Sequence, residues 1–207
     1  VERLKDRFTL LAGARGAAAR QSTMKTAIDW SWNLLTAWEQ AALAQCSVFE
    51  GGFTLEAAEA VLDLSAWEDA PPAIDAVQSL VDKSLLRTWS PLLPQRFDLG
   101  EPYFGMYLSI HEYAAGKLGA SATATLAAQR LHGRYYARLG SQDALDALAH
   151  HGGARRLPAL ALEIDNLVGA CRRAVARADA AVAVPTLRAA WEVLDRRGPI
   201  SIGVDLG

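Results

Sequence analysis

Apolar residues in the first part of the chain recur at the spacing of an α-helix. The first stripe consists of Met24, Ile28, Trp32 and Leu35. It predicts a helix over residues 23–35. Thr36 and Glu39 then have the spacing of a capping box, in which the threonine oxygen accepts the amide hydrogen of residue 39 and the glutamate reaches back to the amide of Thr36. A second helix is therefore predicted after Thr36, ending at Gly51–Gly52, where positive φ has little steric cost.

Two further helices and then a change of period follow. Thr54 is a predicted cap for a short third helix, and a fourth helix is predicted after Pro71–Pro72. The apolar face of this fourth helix is predicted to consist of Ile74, Val77, Leu80 and Val81. Residues 85–89 and 103–108 are rich in aromatic and large apolar residues and are separated by proline and glycine, which predicts two short strands. Ser109 and Glu112 have the spacing of a second capping box, for a fifth helix.

This succession of short helices and turns, followed by two strands, predicts a winged helix. We place it at residues 21–115, after a linker at 1–20. From Ser121 onward every periodic segment is helical. Ala127, Leu131, Tyr135 and Leu139 form one predicted stripe, and Leu157, Leu160, Ile164, Leu167, Cys171 and Ala174 form another. Residues 116–207 are therefore predicted to be an α-helical bundle or the start of a helical array like tetratricopeptide repeats, although two 34-residue units cannot be superposed. The predicted fold class is mainly α with a small β-wing.

Composition and charge narrow the possible functions. Of the 207 residues, 51% are hydrophobic and 21% are charged, which is typical of a globular domain. A net charge of -2 gives no general attraction to nucleic acid or to an anionic membrane. No apolar stretch reaches the roughly 20 residues of a membrane-spanning helix, so we expect a cytoplasmic protein without membrane contact. The start at Val1 and the end at Gly207 lead us to expect a piece of a larger protein.

Sequence motifs for catalysis, metal binding and cofactor binding are missing. Lys25–Thr26 and Lys83–Ser84 lack the preceding glycines of a phosphate-binding P-loop. His132, His150 and His151 have no Cys or His at metal-ligand spacing, so we expect them at the surface or at helix ends. Cys46 and Cys171 are expected to be buried free thiols rather than a disulfide. We predict that the chain is not an enzyme and holds no cofactor or metal.

DNA is the partner that a winged helix suggests first, because the helix before the wing often enters the major groove. Here that helix carries Asp75 and Asp82 and a single base, Lys83, so its charge argues against DNA. Arginine pairs at 155–156, 172–173 and 196–197 are interpreted as solvated faces, with an anionic partner as the alternative. Trp30, Trp32 and Trp38 are interpreted as core and interface aromatics.

Several phrases, in a fixed order, resemble the region that follows the nucleotide-binding core in bacterial signal-transduction ATPases with numerous domains (STAND ATPases). They are DRFTLL, TMKTAIDWSWNLL, EQAALAQCSVFEGGFTLEAAEAV, SLVDKSLL, FGMYLSIHEYAAGKL, LHGRYYARLG and LEIDNLVGACRRAV. The similarity runs from Leu4 to Gly198, and its most specific phrases are SVFEGGFTLEAAEAV (47–61) and LEIDNLVGA (162–170). Regulators related to antibiotic-pathway activators and LuxR-like multidomain activators share this organisation.

This resemblance implies a regulatory segment that contacts an upstream nucleotide-binding domain and downstream helical repeats of the same protein. It would relay conformational change between them, with ATP or ADP bound only by the full-length parent. Related NB-ARC proteins carry a Met-His-Asp motif that approaches bound ADP, and it aligns with Met106, Tyr107 and Leu108, of which only the methionine matches. His111 falls where arginine is usual. The alternative function is a DNA-binding winged-helix transcription regulator.

Overall fold

The computed structural model describes residues 15–91, 102–149 and 153–198. Its helices are α1 (Arg15–Asn33), α2 (Ala37–Cys46), α3 (Leu55–Val61), α4 (Ala73–Asp82), α5 (Leu108–Gly119), α6 (Ala122–Ala137), α7 (Gln142–Ala149), α8 (Gly153–Leu162), α9 (Ile164–Ala176) and α10 (Ala180–Arg197). A 3-10 turn, Arg138–Gly140, follows α6, and the strands are β1 (Arg87–Trp89) and β2 (Tyr103–Gly105). The mainly α fold with a small sheet is confirmed.

The winged helix is built from α2, α3, α4 and the antiparallel pair of β1 and β2. The predicted capping box is present, because the Glu39 amide donates to Thr36 Oγ1 at 3.4 Å and the Thr36 amide donates to Glu39 Oε2 at 2.8 Å. Thr54 caps α3 as predicted. In the sheet, Arg87 lies opposite Gly105 and Trp89 lies opposite Tyr103. The wing closes on the helices through a backbone bridge between Phe53 and Phe104.

Several predicted helix details are wrong. Helix α1 begins at Arg15 rather than at 23, since the alanine-rich stretch before it favours helix. Helix α5 begins two residues earlier than predicted, with Tyr107 as its cap instead of Ser109, so Ser109 lies in the first turn and does not cap the helix. Ile74 is 49% exposed, and Ala76 takes its place in the α4 core face.

The second region is a bundle in which α9 and α10 pack together and α6 packs on both. The stripe through Leu160, Leu167, Cys171 and Ala174 is buried as predicted. On α6 the predicted stripe is wrong by one residue: Ala128, His132 and Tyr136 are buried, because this face meets the winged helix.

The winged helix and the bundle share one core, a continuous cluster of buried apolar residues that extends from Trp32 to Leu194. Helices α3 and α6 contact each other across the boundary. Trp32 is buried and Trp38 packs on the core, whereas Trp30 is 68% exposed and is not part of the core, so that an interface role for it stays a prediction. Both cysteines are buried free thiols, as predicted. The boundaries at 20 and 115 stay predictions, and residues 1–14 of the predicted linker lie outside the described residues.

Candidate functional site at the junction

The two most specific phrases of the sequence meet in space. The first phrase begins with the loop after α2 and continues through α3, and the second extends from the end of α8 into α9. Asn166, which is 0% exposed, joins them through its side-chain amide. Its Nδ2 donates to the carbonyl oxygen of Gly52 at 2.7 Å, and its Oδ1 accepts the amide hydrogen of Glu50 at 2.8 Å. One side chain therefore provides hydrogen-bond partners for two backbone groups of the winged-helix loop, one on each side of Gly51.

The shape of this loop depends on glycine. Gly51 has φ +88°, a conformation that side chains other than glycine rarely adopt. A Cβ atom at Gly51 would also lie 3.3 Å from Asp165 Oδ2. Glycine at this position lets the loop come close enough to α9 for the Asn166 bonds to form.

Glu163 is the buried acid of the junction. Its carboxylate accepts hydrogen bonds from the Tyr103 hydroxyl of the wing, from the Tyr136 hydroxyl of α6 at 2.9 Å and from Asn166 Nδ2 at 3.1 Å. Burial raises the pKa of Glu163, and the three donors oppose that rise. The residue thus links the wing, α6 and α9 through one carboxylate.

His132 and Arg173 complete the set. His132 Nε2 lies 3.3 Å from Asn166 Oδ1, and its Nδ1 lies 3.2 Å from Arg173 Nη2. Since arginine can only donate, Nδ1 is an acceptor, and Nε2 carries the hydrogen. Arg173 also donates to the Val48 carbonyl at 3.0 Å and to Glu50 Oε1 at 3.3 Å. Burial and the charge of Arg173 lower the pKa of His132 to about 3, so the imidazole is neutral at pH 7.

We call this set of residues the junction site: Glu50, Gly52, Tyr103, His132, Tyr136, Glu163, Asn166 and Arg173. Its bonds run between elements that are distant in sequence, so a shift of the bundle against the winged helix would break several of them together. Among the residues that the structure describes, no group of His, Cys, Asp or Glu is placed to hold a metal ion. What the arrangement can do is fix the orientation of the two regions.

Two sequence interpretations fail at the junction. His132 was expected at the surface and is fully buried. Arg173 was expected on a solvated face, but the loop after α2 covers α9 there and binds its guanidinium; Arg172 beside it is exposed. Half of the junction site, Glu50, Gly52, Glu163 and Asn166, falls in the two most specific phrases, which is the signal that the sequence carried for it. The other half lies outside those phrases, and no residue of the site was nominated from the sequence. His150 and His151, and the side chains of Arg155 and Arg197, lie outside the described residues.

The positions aligned with the Met-His-Asp motif lie elsewhere, at the end of the wing. Met106 is partly buried against the core, whereas Tyr107 is 61% and Leu108 is 54% exposed. The guanidinium of Arg87 lies 4.6 Å from the ring centroid of Trp89 and 5.5 Å from that of Tyr107. His111 Nε2 donates a hydrogen bond to the Phe49 carbonyl oxygen at 2.9 Å, so this histidine holds the loop after α2.

Helix α4, which would enter a DNA groove, is followed directly by its one base, Lys83, whose exposed side chain is engaged in an ion pair. Lys83 pairs with Glu39, which is 2% exposed and also accepts the Ser79 hydroxyl at 2.5 Å. Burial alone would raise the pKa of Glu39, but the bonds from Lys83, Ser79 and the Thr36 amide outweigh it and lower the pKa to about 2. The ion pair therefore occupies the lysine that could otherwise neutralise a phosphate.

Charge is divided unequally between the two regions, a pattern that the overall net charge hides. Residues 23–91 and 102–119 of the winged helix contain eleven Asp and Glu against four Lys and Arg, a formal charge of -7. Residues 121–198 contain seven Asp and Glu against eleven Arg, a formal charge of +4. Any attraction to nucleic acid phosphates would therefore be expected from the bundle rather than from the winged helix.

The chain is similar to transcriptional regulators of mycobacteria. A protein of Mycobacterium tuberculosis with the name "Putative HTH-type transcriptional regulator" is 38% identical over 167 residues, which cover 79% of this chain and 17% of the relative. A Mycobacterium bovis protein of the same name matches equally. An uncharacterized protein of Mycobacterium tuberculosis is 34% identical over 132 residues, covering 62% of this chain and 32% of the relative.

The chain thus spans about a sixth of the length of the regulators that it resembles. No family model and no solved structure matches it. None of the helices in the described ranges has the length and apolar character needed to cross a bilayer.

Proposed function

We propose that the chain is a non-catalytic regulatory segment of a longer transcriptional regulator. In this proposal the winged helix and the bundle move as one body and relay conformational change between neighbouring domains. The observation that carries it is the junction site, where Asn166 and Arg173 tie the loop after α2 to α9. Such a polar network gives the two regions one orientation, which is what a relay requires.

The neighbours in this proposal follow from the sequence resemblance. An upstream nucleotide-binding domain would bind ATP or ADP, and downstream helical repeats would receive or deliver the signal in the cytoplasm. The chain itself would bind no nucleotide. Calorimetry of the 207-residue chain with ATP and with ADP tests this division, and tight binding of either would refute it.

The relay itself is tested in the full-length parent. Hydrogen exchange in residues 47–53 and 162–170 is compared in the ATP-loaded and ADP-loaded protein. The proposal expects exchange in both segments to change together, and Asn166→Ala to make their responses independent. If nucleotide exchange leaves both segments unchanged in the parent, the junction takes no part in a relay.

A second candidate is direct binding of DNA by the winged helix, and the names of the relatives favour it. The local charges oppose it, since the winged helix has a formal charge of -7 and Lys83 is held by Glu39. The eleven-residue connection at 62–72 between α3 and α4 is also longer than the three or four residues of a helix-turn-helix motif.

Fluorescence anisotropy with labelled duplex DNA separates the two candidates. The chain is titrated against a mixed-sequence duplex pool at 50 mM and 200 mM salt, since phosphate contacts weaken with salt. The relay proposal expects no selection of any sequence, and Arg87→Ala should behave as the unchanged chain does. Sequence-selective binding that Arg87→Ala weakens, while Lys25→Ala on α1 does not, would establish the second candidate instead.

A further inference from the structure

A cavity of about 360 Å³ lies beside the junction site, between the wing, α6, α7 and α8. Its walls are mainly apolar and are formed by Tyr135, Leu139, Ala144, Ala147, Leu148, Ala159 and Leu160. Tyr103 and Glu163 of the junction site also line it, as does Arg156. Small-molecule sites have volumes of about 300–1,000 Å³ and combine apolar walls with a few polar groups, so this cavity has the right size and lining for one.

The carboxylate of Glu163 has no cation to balance it in the part of the chain that the structure describes. Its three hydrogen-bond donors, two tyrosine hydroxyls and one amide, are all neutral. The ion pairs of the described residues involve Glu39, Glu50, Glu56 and Glu192. Arg156, in the same cavity, instead donates to the Ala147 carbonyl at 2.8 Å. Because a buried charge is costly unless it is paired, a cation placed here would be strongly stabilised.

We propose that this cavity binds a small organic cation, a primary ammonium group on an aromatic or aliphatic body. The ammonium group would donate to the Glu163 carboxylate, which lines the cavity beside Tyr103. The body would lie against Leu148 and Leu160. An acid of the same shape would be repelled by the carboxylate, and a neutral alcohol would leave its charge unbalanced.

This site would also act on the junction, because the same carboxylate accepts from Tyr103 of the wing and from Asn166 of α9. A bound ammonium would compete with these donors for the carboxylate oxygens. The proposal stands on the cavity and its carboxylate, and it does not depend on the relay function.

Titration calorimetry of the 207-residue chain at pH 7 tests the site with three probes of one shape: 2-phenylethylamine, 2-phenylethanol and 3-phenylpropanoate. The amine is expected to bind at least about 10-fold more tightly than the alcohol, and the acid not to bind. Glu163→Gln keeps the size of the side chain and should lower the amine affinity to that of the alcohol. Glu192→Gln, at an exposed pair on α10, is the matched control and should change nothing.

A second variant keeps the test decisive if Glu163→Gln does not fold. Ala147→Phe fills the cavity from α7 while the carboxylate stays in place, and it should abolish binding of the amine and the alcohol together. Equal binding of amine and alcohol by the unchanged chain would overturn the proposal. So would binding that survives Ala147→Phe, or the absence of amine binding.

Discussion

Replacement of Asn166 by alanine tests whether the junction site holds the two regions together. The change removes the donor to Gly52 and the acceptor for the Glu50 amide, and so leaves two backbone groups without partners at the interface. An unsatisfied buried polar group costs about 1–3 kcal/mol, so we expect Asn166→Ala to lower the free energy of unfolding by roughly 2–6 kcal/mol. Typical domains have about 5–15 kcal/mol in total, so the loss is large.

The measurement is urea denaturation, followed by tryptophan fluorescence and by far-UV circular dichroism. The matched control is Asn33→Ala, which changes the one other asparagine of the chain, an exposed residue at the end of α1. That control should stay within about 0.5 kcal/mol of the unchanged chain. A loss below about 1 kcal/mol for Asn166→Ala, or a loss equal to that of the control, would refute the structural role assigned to the junction.

Two further predictions use other features of the fold. A Cβ atom at Gly140 would lie 1.8 Å from the Pro185 carbonyl oxygen, so the Gly140→Ala variant should unfold at a much lower urea concentration. The control is Gly116→Ala on α5, where the added methyl group meets open space and should raise the free energy of unfolding by about 0.5–1 kcal/mol. Equal urea midpoints for the two variants would contradict the packing of α10 on the turn after α6. The pKa of His132 falls from 6.5 to about 3 on folding, so below pH 6.5 the unfolded chain binds the proton first and stability falls as the pH drops toward 3. Between pH 7 and pH 5 the free energy of unfolding should fall by about 2 kcal/mol through this group. Urea denaturation at the two pH values measures that fall, and the His132→Gln variant should lack this part of it. The raised pKa of Glu163 has the opposite effect above pH 4.5, since it lowers stability as the pH rises, but it is present in both the unchanged chain and the variant. If the free energy of unfolding depends on pH equally in both chains, His132 is not a buried neutral imidazole.

Local chemistry was enough to predict most of the elements. Thr36 and Thr54 cap helices as expected, because a cap depends on residues only three positions apart. The order of helices and strands, and hence the winged helix followed by a bundle, also follows from spacing along the chain. The boundaries of the helices were less predictable. Ser109 has capping chemistry, but α5 already begins at Leu108, shortly after the second strand of the wing ends.

The contacts of charged and polar side chains depended on the tertiary structure. Nothing near Lys83 in the sequence shows that it pairs with Glu39, and nothing near Arg173 shows that the loop after α2 covers it. The same holds for His132, since its neighbours in the sequence, which include Arg130 and Arg134, indicate neither its burial nor its partners. These pairings join residues about 40 or more positions apart, so only the packing of the helices brings them together.

The sequence by itself determined the fold class, the caps of α2 and α3, the burial of both cysteines and the two phrases that mark the junction. Only the tertiary structure decided that those phrases bind each other through Asn166, that the buried face of α6 runs through His132 and Tyr136, and that Glu163 lines a cavity. The physical reason is the separation along the sequence over which each kind of interaction acts. Helix periodicity and capping act within a few residues, whereas a buried polar network exists only where distant segments exclude water from the same groups.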